Sequence, residues 1–211
     1  LRGIAKTAAP SLAISILLFV SAGRLNWTMA WVYAGLSLIG VVAVALAAGP
    51  ALLAERSGVG QGAEALDVAM AVIMAWLGPV AIALVAGFDF RYGWQPEVVP
   101  LVQGAGVVIV VLGYAMALWA MATNRFFSGV VRIQEERGHT VVSHGPYALV
   151  RHPGYVGVIL AAIGAPLMLG SEWALIPAAA TIGVIVVRTA YEDRTLARDL
   201  AGYEAYARRV R

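Results

Sequence analysis

The residues able to do chemistry fall in two stretches of this 211-residue chain. The first, residues 124–157, reads NRFFSGVVRIQEERGHTVVSHGPYALVRHPGYVG and holds His139, His144, His152, four arginines and Gln134. Gly145-Pro146 and His152-Pro153 are turn signals there, because proline has no N–H to give a continuing helix. The stretch therefore reads as a folded loop, and loops held on a rigid scaffold are where binding residues concentrate. The plain alternative is a solvated basic loop whose arginines set topology. Topology, however, needs neither Gln134, nor three histidines, nor the pair Tyr147 and Tyr155. The second stretch is Arg188, Tyr191, Glu192, Asp193 and Arg194. Arg188 and Glu192 are four apart and share one helix face. Exposed, such a pair would be worth about 0.3–0.5 kcal/mol. Arg188 follows an unbroken apolar run, though, and a charge at a membrane boundary usually has a partner or a task.

Several kinds of chemistry drop out. With no cysteine there is no disulfide framework, thiolate metal site or cysteine nucleophile. The spacings between His139, His144 and His152 suit neither a helix face nor a zinc pattern, so no metal is expected. There is no P-loop, no GxSxG, and no GxGxxG following a strand.

The scaffold follows from composition. The chain is 61% hydrophobic and 13% charged, with a mean hydropathy of +0.80. Soluble domains run about 45–50% apolar and about 25% charged. That excludes an ordinary soluble enzyme, a nucleic-acid-binding module and a disordered tail, and leaves an integral membrane protein in a lipid bilayer. The net charge of +3 then reports topology and contact with anionic lipid rather than nucleic acid. No signal-peptide cleavage site stands out near the start.

Four apolar runs read as membrane helices: Ala8–Ala22, Trp27–Leu53, Ala65–Phe88 and Pro100–Ala122. After the polar stretch come Val156–Gly170 and Trp173–Val187, each shorter than an independent span, which read as a tight helical hairpin. With six crossings and the N-terminus inside, thirteen of the fifteen lysines and arginines lie inside, and only Arg24 and Arg91 lie outside. Both termini and the long loop are thus expected at the cytoplasmic face. The fold class is all-α: a polytopic transmembrane protein of five to six segments. Gly35, Gly40, Gly104, Gly106 and Gly113 read as sites of close helix packing. The spans of the first half carry almost no polar groups, and no internal repeat is visible, against a transporter pathway. Leu200, Tyr203, Tyr206 and Val210 form an apolar stripe with arginines opposite, which reads as an amphipathic helix on the inner surface.

The motifs resemble a known family. Gly145-Pro146-Tyr147, then Arg151-His152-Pro153-Gly154-Tyr155-x-Gly157, resembles the signature of the isoprenylcysteine carboxyl methyltransferases, which the phospholipid N-methyltransferases partly share. Arg188-x-x-x-Glu192-Asp193, Leu196 and Gly202-Tyr203-x-x-Tyr206 are similar to the same family's C-terminal pattern. The resemblance runs from about Asn124 to Arg211 and implies S-adenosylmethionine as methyl donor in a cytoplasmic pocket, with a hydrophobic acceptor arriving from the membrane. It implies cofactor contacts at Gln134, at His139, Thr140, Val141 and Val142, at Tyr147, at His152, Pro153, Gly154 and Tyr155, and at Glu192. Arg188 matches an arginine that faces the acceptor, so Arg188 and Glu192 are the implied catalytic pair. Asp193 stands where the family often has glutamate. On this reading residues 1–122 are four N-terminal membrane segments, and residues 123–211 form the catalytic part.

The chemistry suits such a donor. Glu192 can bind an ammonium, backbone N–H groups around Gly145 and Gly154 can receive acceptor atoms, and Tyr147 and Tyr155 suit a cation or an adenine face. The acceptor stays open among an isoprenoid, a prenylcysteine carboxylate and a lipid. Membrane sterol reductases, which use NADPH, end in a similar Arg-His-Pro-x-Tyr-x-Gly segment. There asparagine usually precedes the tyrosine and an acid follows the glycine, where this chain has Gly154 and Val158. A small transporter or lipid-binding scaffold would explain the spans but not the two polar clusters together.

Overall fold

The computed structural model describes residues 2–47, 64–94, 96 and 98–210. Those residues are helical or irregular, with no strand among them. The helices are α1 (Arg2–Ala22), α2 (Thr28–Ala47), α3 (Ala65–Tyr92), α4 (Pro100–Thr123), α5 (Pro153–Leu169), α6 (Leu175–Asp199) and the short α7 (Tyr203–Ala207). Helices α2, α3, α4 and α6 are long and apolar enough to cross a membrane, and shorter apolar helices run over Ala8–Ala22 and Pro153–Leu169. The polytopic helical architecture is the one expected. The end of the second expected span, residues 48–53, and Arg56 lie outside the described residues.

The hairpin differs from expectation in its second arm. α6 has 25 residues and continues through Arg188, Glu192 and Asp193 without a break. The pair therefore sits inside a helix. No proline or glycine interrupts residues 184–199, so nothing in the sequence ends the helix where the apolar run ends.

Core packing gathers around Leu18 of α1, Ala30 of α2, Ala86 of α3, Val110 of α4 and Met168 of α5, all sealed from solvent. α4 and α5 meet backbone to backbone. A Cβ on Gly106 would lie 2.3 Å from the Met168 nitrogen, and one on Gly113 would lie 2.6 Å from the Gly157 oxygen. Reciprocally, Gly157 and Gly164 abut the Gly113 and Gly106 carbonyls. Each pair is seven residues apart, which keeps both glycines on one face. Among the described residues Gly40 makes only ordinary contact with the Tyr114 ring, and Gly35 and Gly104 have nothing within 4 Å. The close-packing expectation is thus corrected at Gly35 and Gly104, whose missing side chains leave open space.

α3 loosens into one π turn over Ile73–Leu77, immediately before Gly78-Pro79. Pro79 has no N–H for the helical ladder and crowds the carbonyl four residues back, and an extra residue in the turn relieves both. Met74 and Ala75, inside that turn, face the cavity described next.

Candidate functional site

α6 brings Arg188 to the end of its apolar run, and the guanidinium turns inward, 5% exposed. Its Nε donates to Asp67 Oδ1 on α3 at 2.8 Å, and its Nη2 donates to the Gly129 carbonyl at 2.7 Å. One turn later Glu192 accepts the Tyr155 hydroxyl proton at 2.5 Å. Asp193, beside it, takes three partners. Arg151 Nη1 lies 2.5 Å from Oδ2, while the Tyr203 hydroxyl at 2.6 Å and His152 Nε2 at 3.2 Å share Oδ1. The polar residues of the Arg-His-Pro motif thus fasten the start of α5 to α6. Burial pushes the Tyr203 and Tyr147 phenols up, so both stay O–H donors.

The loop between α4 and α5 is organised by Gln134. Fully buried, it donates Nε2 to the Phe126 carbonyl at 2.7 Å and accepts Arg137 Nη1 at 2.5 Å. Its backbone N–H donates to His139 Nδ1 at 3.3 Å, which sets His139 against the Phe126 ring with centroids 4.4 Å apart. The His139 pKa is lowered, first by burial and then by Arg132 and Arg137, against the opposing pull of Glu136. This histidine is held neutral, as a hydrogen-bond acceptor at Nδ1 requires.

These elements enclose a cavity of about 400 Å³, within the range of small-molecule and cofactor sites. The structure brings most of the sequence-derived site residues to its wall. His139, Thr140, Val141, Val142 and Tyr147 line it from the loop, His152, Gly154 and Tyr155 from the start of α5, and Arg188 and Glu192 from α6. Gln134 and Pro153 are not on that wall. Gln134 spends its amide on the loop itself, and Pro153 is buried as the first residue of α5. No group of three or more His, Asp or Glu side chains that could hold a metal is found among the described residues.

Three contributions were not assigned from sequence. Asp67 of α3 is a buried carboxylate, an exception to the expectation that the first half carries almost no polar groups in its spans. A lone Asp67 in an apolar run was the available signal. Arg151 lay inside the quoted motif and lines the cavity. The apolar stripe of the tail meets protein: Leu200, Tyr203 and Tyr206 pack on Ile133, Val141 and Leu196 and roof the cavity. There Tyr206 donates to the Tyr147 carbonyl at 2.7 Å.

The fold and site define a polytopic helical membrane protein with a partly polar cavity built mainly from its C-terminal half. Residues 106–198 match the isoprenylcysteine carboxyl methyltransferase (ICMT) family. A probable protein-S-isoprenylcysteine O-methyltransferase of Oryza sativa subsp. indica is 34% identical over 113 residues, covering 52% of this chain and 59% of the relative. The protein-S-isoprenylcysteine O-methyltransferase of Rattus norvegicus is 27% identical over 135 residues, 63% of this chain and 43% of the relative. That of Saccharomyces cerevisiae is 34% identical over 90 residues, 42% of this chain and 36% of the relative. The chain thus matches little more than half the length of the rice relative, and less of the other two. No solved structure matches the chain.

Proposed function

We propose that this chain is an integral membrane methyltransferase that uses S-adenosylmethionine and acts on a hydrophobic acceptor: an isoprenoid, a prenylcysteine carboxylate or a lipid. The observation that carries the reading is the pair Arg188 and Glu192. They stand one turn apart on α6 where its apolar run ends, and both line the same cavity. The relatives' names support a prenylcysteine carboxylate as the first acceptor to try.

The wall suits the donor's chemistry. Tyr155 occupies one Glu192 oxygen, and the other has no hydrogen-bond partner among the described residues, so it can take an ammonium. Arg151, on the cavity wall, supplies a guanidinium for the carboxylate. Phe126, Tyr147 and Tyr155 supply aromatic surface for an adenine or a cation. When bound, S-adenosylmethionine supplies an electrophilic methyl group. The protein's part is to align two reactants and exclude water. A carboxylate acceptor needs no general base, and Arg188 would orient it. An amine acceptor has to be neutral, and Glu192 or a histidine would then take its proton. The arginine bias supports a cytoplasmic position for this site and both termini.

Calorimetry on detergent-purified protein tests the reading, with S-adenosylhomocysteine and NADPH as ligands. We expect the first to bind and the second not to, with Glu192→Ala weakening binding about tenfold or more, the worth of a charged hydrogen bond. Binding of NADPH alone would move the protein to the reductases, and binding of neither would leave a transporter or scaffold.

A further inference from the structure

Asp67 lies outside the family-matching stretch, on α3, with no exposed surface. A carboxylate sealed beside apolar helices is costly unless each oxygen is satisfied. Here Oδ1 takes Arg188 Nε at 2.8 Å and Oδ2 takes the Val131 N–H at 2.6 Å. Arg188 returns to the same loop through Nη2 and the Gly129 carbonyl. One carboxylate therefore ties together α3, the 129–131 segment of the cavity wall, and α6.

The clasp fixes the guanidinium plane at Nε and Nη2. Among the described residues Nη1 has only the Met74 sulfur at 3.9 Å, a weak acceptor. Arg188, Met74, Gly129 and Val131 all line the cavity, and Nη1 is the guanidinium nitrogen with no oxygen acceptor among the described residues, which leaves it as the donor for a ligand there. Because Asp67 already neutralises the arginine, what a ligand oxygen meets is a fixed direction more than a free positive charge.

We propose that Asp67 is a positioning residue for the acceptor site: it holds Arg188 and the 129–131 wall so that Nη1 meets the acceptor's polar end. This rests on reading Arg188 as the residue that faces the acceptor. Asp67→Asn keeps one oxygen but sets an amide N–H against one of the two donors. The test compares wild type, Asp67→Asn, Arg188→Gln and the double variant, using labelled S-adenosylmethionine with S-farnesyl-N-acetylcysteine. We expect Asp67→Asn to lower kcat about 100-fold, the size of a small misplacement in a reacting pair. S-adenosylhomocysteine affinity should stay within about twofold, and the double variant should be no slower than Arg188→Gln. Additive losses, or cofactor affinity falling in step with kcat, would overturn the proposal. If Asp67→Asn does not fold, Asp67→Glu keeps the charge, moves it by one methylene, and is expected to show the same split. Hydrogen exchange over residues 128–132 judges the clasp without turnover. Exchange about tenfold faster in the variant supports it, and unchanged exchange overturns it. A wild type that neither binds S-adenosylhomocysteine nor transfers methyl would defeat the proposed function, while the exchange result would still decide the role of Asp67.

Discussion

The α4–α5 seam and the cavity mouth are held by opposite means. The seam is glycine against backbone, with Gly106, Gly113, Gly157 and Gly164 replacing side chains by close approach. The mouth is charge against hydroxyl, with Asp193 joining Arg151, His152 and Tyr203, and Asp67 joining Arg188 to the loop. In lipid, water does not drive apolar helices together, so shape must do so. At the membrane's edge shape alone does not fix a polar loop, and hydrogen bonds take over. The seam should therefore fail on added volume and the mouth on deleted polarity.

Glycine substitutions give the largest contrast. Gly106→Ala puts a methyl 2.3 Å from the Met168 nitrogen, and neither helix backbone can yield cheaply. We expect at least about 1–3 kcal/mol of destabilisation, read as lost thermal stability in detergent. Gly104→Ala, two residues away with open space around it, should be neutral or stabilising by up to about 1 kcal/mol. Equal losses at both sites would remove the seam as the organising contact.

At the mouth, Tyr203→Phe keeps the ring and deletes the hydroxyl shared by Asp193 and His152. The expected cost is about 0.5–1.5 kcal/mol of stability, with a weaker calorimetric affinity for S-adenosylhomocysteine. No change in that affinity would separate the tail from the binding site.

The smallest effect is pH-dependent. The folded-state pKa of His139 lies below its ordinary value of 6.5. Between the two values the unfolded chain holds more protons, so stability rises with pH there. The contribution is complete above the ordinary value and is lost as pH falls through the folded one. Thermal unfolding at about pH 7.5 and about pH 5.5 should show a lower Tm at the acid end, and His139→Gln should shrink the difference. A difference unchanged by that substitution would assign the pH response to another group.

The helices and the two polar clusters were legible in the sequence because hydropathy, proline and charge are local signals. Arg188 and Glu192 could be paired by spacing alone, since four residues make one helical turn. Asp67 could not be joined to Arg188 that way, because the two are 121 positions apart and only tertiary packing brings them together. The tail misled for a related reason. Its stripe of Leu200, Tyr203 and Tyr206 fits a lipid surface and a protein surface equally well, and the deciding hydroxyl bonds to His152 and Tyr147 are long-range. Gln134 was found but given another task, because an amide that satisfies a loop and one that meets a ligand look alike in sequence.

The roof over the cavity also has a consequence in time. Translation runs from the N-terminus, so α1 to α5 are made before Tyr203 and Tyr206 exist. Those helices can begin to enter the bilayer while the cavity still lacks its roof. A chain cut short after α6 would keep the six longer helices and lose the tyrosines that close the cavity over.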